Sequence, residues 1–171
     1  WVFMEGAIEN NPVARKFHMT EVFAQRAGLA GEFGASMMPD YAVRATEAIW
    51  AQEMYPRFDG SRRVCIQVGT SAVCRTYPRP LLGQVVAALL KRGWEVFLMG
   101  EKNEVKLPDQ TPPGLRNLAA AGLSFRQSAA VVSQADVFIG SDSSLLHVAG
   151  ALGVPAVGLY GPFPWELRTK F

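Results

Sequence analysis

Four short apolar runs, each ending in glycine or closed by one, most constrain what this chain can become. They are RVCIQVG (63–69), WEVFLMG (94–100), DVFIG (136–140) and PAVGLYG (155–161). Each is too short for a buried helix, and the first two are bounded by polar or turn residues, so each reads as a buried strand. Helical patterns separate them. RPLLGQVVAALLKRG puts Leu82, Val85, Val86, Leu89 and Leu90 at helical spacing, with Pro80 in the first turn and Gly93 at the end. SFRQSAAVVSQA carries Ser124 and Gln127 at capping-box spacing, and SSLLHVAGALG forms a third helix. Strand and helix alternate without hairpin signals, which predicts an α/β fold: a Rossmann-like parallel sheet with right-handed crossovers, flanked by helices. A short helix is expected near Leu115, after the Pro-rich loop DQTPPG.

The N-terminal part reads differently. MTEVFAQRAGL is expected to be helical from Thr20 to a stop at Gly28. PDYAVRATEAIWAQEMYP has Asp40 as a candidate N-cap, Val43, Trp50 and Met54 on one face, and Pro56 as terminator. The polar RFDGSRR that follows looks like a linker, so the expected division is a helical segment at 1–60 and a Rossmann-like lobe at 61–171. The chain opens on Trp1 and stops directly after a loop, and is expected to be part of a longer protein.

Charge narrows the partners. Seventeen basic against 15 acidic residues gives no basic surplus of the kind nucleic-acid binding requires. No apolar run reaches the roughly 20 residues needed to span a bilayer, and no signal peptide is visible. The two cysteines, Cys65 and Cys74, are read as free thiols in a reducing compartment. No Cys or His pair has ligand spacing, so zinc is not expected.

In open parallel sheets ligands bind beyond the carboxyl ends of the strands. Three loops leave strand ends there: GTSAVCRTYP (69–78), GEKNE (100–104) and GSDSS (140–144). The third opens a helix, whose first amides lack intrahelical acceptors and carry partial positive charge. Ser143, Ser144 and Leu145 therefore offer N–H groups, and the two serines hydroxyls, to a phosphate or pyrophosphate. Asp142 is expected to cap the helix or orient the loop, with His147 in the first turn and Arg75 as a cation for phosphate charge. The same residues have plainer readings: SDSS as a side-chain cap, His147 as packing, Arg75 as surface, Glu101 and Glu104 as the start of a helix. Neither G-x-G-x-x-G nor a P-loop is present.

ADVFIGSDSSLLHVAGALGVPAVGLYGP (135–162) resembles the C-terminal domain of heptosyltransferases, the family-9 glycosyltransferases. Asp142, Ser143, Leu145, His147, Ala151, Leu152, Gly153, Pro155, Gly161 and Pro162 fall into that pattern at unbroken spacing. The likeness extends back through GTSAVCRTYP and VFLMGEKNE, over about residues 62–165. It implies one lobe of a GT-B enzyme that binds a nucleotide-diphosphate sugar, typically ADP-heptose. Transfer to an acceptor hydroxyl would be inverting and metal-independent, with no cofactor. It further implies that Ser143, Ser144, Leu145 and Arg75 bind the diphosphate, with Asp142, His147, Thr70 and Ser71 in support and Glu101 or Glu104 on the ribose. The catalytic base, an aspartate, is expected in an N-terminal lobe and not in this chain. The acceptor would be a glycan or glycolipid in lipopolysaccharide biosynthesis, met in the cytoplasm, with the enzyme peripheral to the inner face of the membrane. Arg75 stands for the usual lysine, Tyr77-Pro78 for Trp-Pro, and Ser144 for a glycine. Two other readings stay open: a non-catalytic nucleotide-binding or structural module built on this fold, and another GT-B enzyme such as a sugar-nucleotide epimerase.

Overall fold

The computed structural model describes residues 19–28, 40–58, 60–71, 73–102, 104 and 111–161. Pro162 of the quoted motif lies outside them. Pro39–Gly161 form one compact unit, and the helix α1 (Met19–Arg26) belongs to the other. The α1 helix ends as its sequence requires: Gly28 takes a positive φ of 75°, and its N–H turns back to Gln25 O.

Within Pro39–Gly161 the four apolar runs become β1 (Arg62–Gln67), β2 (Trp94–Met99), β4 (Val137–Ser141) and β5 (Ala156–Leu159). A fifth strand, β3 (Leu115–Asn117), stands where a helix was expected. Its three residues have no helical periodicity, and their backbone is taken up by β2, with Arg116 beside Phe97. The order is β3-β2-β1-β4-β5, every neighbouring pair parallel. The order turns back between β1 and β4, the point where doubly wound sheets open a cleft.

Alternation along the strands divides the core in two. Val64, Ile66, Val96 and Leu98 face α3 (Arg79–Lys91), which buries Leu82 and Val86 against them. Cys65, Phe97, Met99 and Phe138 face the other way. They meet Ala51 of α2 (Ala45–Met54), Val131 of α4 (Phe125–Val132) and Ala149 of α5 (Ser144–Ala151). Burial in that layer pushes the Cys65 thiol up to about 12, so it is an inert core residue. Cys74 is exposed, and both thiols are free.

The second helix differs in detail from its expectation. It starts at Ala45, after an extended Arg44, and not at an Asp40 cap. Val43 and Trp50 pack on the core, but Met54 is 54% exposed, and Ala51 is the buried contact. An ion pair also ties α2 to α4. Arg126, on α4, donates through Nη2 to Glu47 Oε2 at 2.7 Å and through Nε to Oε1. The Arg126 hydrogen bond and the Arg44 N–H hold the Glu47 carboxyl at about 2, below its ordinary 4.5. A lowered carboxylate pKa stabilises the fold above pH 4.5, and that contribution fades as pH falls through about 2. A carbon-13 NMR titration should therefore give Glu47 a midpoint near 2. In Arg126→Gln the midpoint should return to the ordinary range of about 4.3. A midpoint already ordinary in the unaltered protein would mean the α2–α4 clasp is not populated in solution.

Candidate functional site

Beyond the carboxyl ends of β1, β2 and β4 lies a cleft of about 370 Å³. All three loops singled out in the sequence reach it: Gly69, Thr70 and Ser71 after β1, Gly100, Glu101 and Glu104 after β2, and Ser143 and Ser144 after β4. Leu145 adds an apolar floor. A parallel sheet turns every strand's carboxyl end to one edge, and the reversal between β1 and β4 keeps helices from closing it.

At the third loop, Ser143 is the N-cap residue of α5, with φ −160° and ψ 167°, yet its side chain makes no capping hydrogen bond. By contrast, Ser124 on α4 accepts from Gln127 N and completes a reciprocal capping box. Leu146 N–H turns back to Ser143 O at 3.1 Å. The amides of Ser144 and Leu145 precede any intrahelical acceptor, so the positive end of α5 is presented bare to the cleft.

The opposite wall is acidic. Glu104 Oε2 accepts from Glu101 N at 2.8 Å, closing a tight turn after β2. Its carboxylate lies directly over Gly69 and Gly100, where a Cβ on either glycine would collide with it. Two glycine strand ends thus make room for one carboxylate, positioned for hydroxyl donors rather than phosphate oxygens.

Arg75, Asp142 and His147 form a separate cluster beside the cleft and are not among the residues that line it. Arg75 ends a 3₁₀ turn (Val73–Arg75) and donates through Nη1 to Asp142 O at 2.7 Å. The buried Asp142 carboxylate lies 3.8 Å from Arg75 Nη1 and 3.6 Å from His147 Nε2. Asp142 therefore sits between two cationic or basic groups, and its loop is tied to the first one by its main-chain carbonyl. The motif's Gly161 is explained nearby: a Cβ there would lie 2.6 Å from Cys74 O. Thr70 Oγ1 lies 3.3 Å from Thr76 Oγ1, and Ser71 Oγ accepts from Arg75 Nη2 at 3.3 Å, so the first loop is braced internally.

Sequence reasoning missed Gln67, Leu123, Phe125 and Ser128, all of which line the cleft. Phe125 is 47% exposed and meets Tyr41 edge-on, with ring centroids 6.0 Å apart. An exposed aromatic at the first position of a capped helix was the available signal.

A doubly wound parallel sheet with a bare helix terminus at its switch point defines a Rossmann-like α/β lobe. The chain belongs to glycosyltransferase family 9 (heptosyltransferase), which residues 7–168 match. It is 30% identical over 110 residues to lipopolysaccharide heptosyltransferase 3 of Escherichia coli, covering 60% of this chain and 32% of that protein. It is 32% identical over 96 residues to lipopolysaccharide heptosyltransferase 1 of Pseudomonas aeruginosa, covering 55% of this chain and 27% of that protein. The chain thus spans about a third of the length of these relatives. Its fold resembles the structure of E. coli ADP-heptose lipopolysaccharide heptosyltransferase II, with a TM-score of 0.71 and 21% identity. That match covers 90% of this chain and 52% of the other. Among the described residues no helix is long and apolar enough to cross a membrane.

Proposed function

We propose that Pro39–Gly161 is the donor-binding unit of a glycosyltransferase that takes a nucleotide-diphosphate sugar of the ADP-heptose kind. The observation that carries this reading is the uncapped amino terminus of α5, opening on a cleft whose far wall is Glu101 and Glu104. The helix end suits a diphosphate and the carboxylates suit ribose hydroxyls. Family membership and the ADP-heptose named for one structural relative support the choice of donor.

Transfer would proceed in the whole enzyme by attack of an acceptor hydroxyl on the anomeric carbon, with inversion. A base from a second lobe would take the hydroxyl proton, and the nucleoside diphosphate would leave. The leaving group gains negative charge as the glycosidic bond breaks. The Ser144 and Leu145 amides and the Ser143 hydroxyl would stabilise that charge, with Arg75 adding a full positive charge through a small rearrangement from Asp142. The amide and hydroxyl donors are fixed before the reaction, and together with Arg75 they would do the work of a metal at the leaving group. The acceptor would be a lipopolysaccharide precursor, met in the cytoplasm at the membrane's inner face.

A thermal-shift titration with ADP, UDP, GDP and ADP-heptose tests this. At about 100 times its dissociation constant, a ligand adds roughly 2.7 kcal/mol. That is several degrees for a domain of this size, at about 2–4 °C per kcal/mol. Adenine compounds should shift the transition and the other nucleotides should not. Equal shifts with all three diphosphates would retire the ADP specificity, and no shift with any would retire the donor site.

A further inference from the structure

Gln67 is the one amide side chain among the β1 residues, and it sits where β1 delivers the chain into the cleft. The strand's alternation turns it to the side of Arg63 and Cys65, the face covered by α4 and α5. The residue is 9% exposed. Nε2 donates to Gly69 O at 2.9 Å and to Ser143 Oγ at 2.8 Å, so both amide protons are committed. Because a carbonyl only accepts, Gly69 O fixes which end of the carboxamide is nitrogen. Gln67 thereby bridges the loop after β1 and the loop after β4, across the switch point.

Two consequences follow for Ser143. Its oxygen accepts from Gln67, so its own proton points elsewhere. It makes no capping bond within α5, so that proton is not turned into the helix. Ser143 itself lines the cleft. The other end of the amide, Gln67 Oε1, is buried with no hydrogen-bond partner. An orphaned buried acceptor is a cost that leucine or methionine at this position would not carry. Gln67 carries that cost while both of its donors are spent on the two loops.

We propose that Gln67 is a positioning residue: it holds Ser143 as a hydrogen-bond donor toward an anionic oxygen of the ligand and locks the two phosphate-facing loops together. This rests on the donor-site reading above, and extends it to a residue that acts on the phosphate through Ser143. The mechanism predicts a loss confined to phosphate recognition. A purely structural Gln67 would weaken every part of the ligand alike, or only lower stability.

The test measures dissociation constants of ADP, adenosine and inorganic pyrophosphate for the full chain and for Gln67→Leu, Gln67→Met, Ser143→Ala and Gln67→Leu/Ser143→Ala. Melting temperatures establish that each variant folds, and Gln67→Met keeps the question answerable should the branched side chain not fit. Gln67→Leu should bind ADP and pyrophosphate about tenfold more weakly, the scale of one hydrogen bond to a charged oxygen. Adenosine binding should not change. Ser143→Ala should add little in the Gln67→Leu background, because both changes remove one donor. Full losses that simply add, an equal loss for adenosine, or undiminished pyrophosphate binding would each overturn the assignment. Pyrophosphate separates the two levels of the argument. An unaltered protein that binds pyrophosphate but no nucleotide ends the nucleotide reading, while a tenfold loss in Gln67→Leu still supports Gln67. Binding of none of the three would end both.

Discussion

Glu95→Leu is expected to destabilise Pro39–Gly161 by roughly 3–5 kcal/mol, the scale for breaking a buried ion pair from one side. Arg63 and Glu95 are adjacent across β1 and β2, with 1% and 3% of their side chains exposed. Arg63 Nε donates to Glu95 Oε2 at 2.9 Å, Nη2 donates to Tyr55 O at 2.9 Å, and the guanidinium lies 4.3 Å from the Phe97 ring centroid. Glu95 Oε1 accepts Phe58 N at 2.8 Å. Two charges have thus been buried together, and they join the segment after α2 to the sheet. Removing the carboxylate leaves a guanidinium in the core that has lost its direct ion-pair partner, with Tyr55 O still accepting from Nη2. The expected loss is a large share of the roughly 5–15 kcal/mol that holds an ordinary domain folded. Removing both charges, as Arg63→Met/Glu95→Leu, should recover about half of it, since apolar pairs replace buried ion pairs at little net cost. The recovery is incomplete because Tyr55 O and Phe58 N lose their partners in the double variant. Urea unfolding of the unaltered protein, Glu95→Leu, Arg63→Met and the double variant closes the cycle. A single-variant cost below about 1 kcal/mol would place the pair with ordinary surface ion pairs. The network lies at the amino ends of the strands, opposite the cleft, so the folded fraction of each variant should keep its affinity for ADP.

Asp136 belongs to the same edge. Burial raises its carboxyl, but Arg63 N–H at 2.6 Å and the Arg57 guanidinium more than reverse this and hold it below the usual range. None of this network was legible in the sequence, where Arg63 and Glu95 are single charges in apolar runs. The runs themselves were legible. RVCIQVG, WEVFLMG, DVFIG and PAVGLYG announced strands because short β-branched segments bounded by glycine have few other uses. Leu115–Asn117 announced nothing, since three half-buried residues become a strand only by pairing with β2. Asp40 is a good cap by type, but the chain from 40 to 44 is neither helix nor strand, Arg44 is extended, and the helix waits for Ala45. At the site, topology made the three loops legible as a group, because strand ends of a parallel sheet share an edge. Pairing between loops was not legible. Arg75 and Asp142 O are 67 residues apart, and so short a bond depends on how tightly the 3₁₀ turn folds. Gln67 had a signal that the loops obscured, a lone amide at an inward position of a buried strand.

Ser144→Pro should weaken ADP binding by about ten- to a hundredfold while leaving the melting temperature nearly unchanged. The two halves of that expectation have different causes. Proline is favoured at the first position of a helix, where its missing N–H has no intrahelical acceptor anyway. Ser144 occupies that position in α5 and is exposed. The residue before a proline must be extended, and Ser143 already is, at φ −160° and ψ 167°. The backbone can therefore take the ring without strain, and what disappears is one amide proton at the cleft. A hydrogen bond to a charged oxygen contributes about 1.5–3 kcal/mol, which sets the expected loss. Ser144→Ala is the control, since it removes the hydroxyl and keeps the amide. If the amide is the donor, alanine should bind ADP nearly as well as serine and proline should not. If the hydroxyl matters instead, alanine and proline should fall together. That result would also account for the serine standing where the family pattern has glycine. A proline variant that binds ADP normally would leave α5 with an uncapped end that no ligand uses, and the donor site would have to be sought elsewhere along the sheet edge.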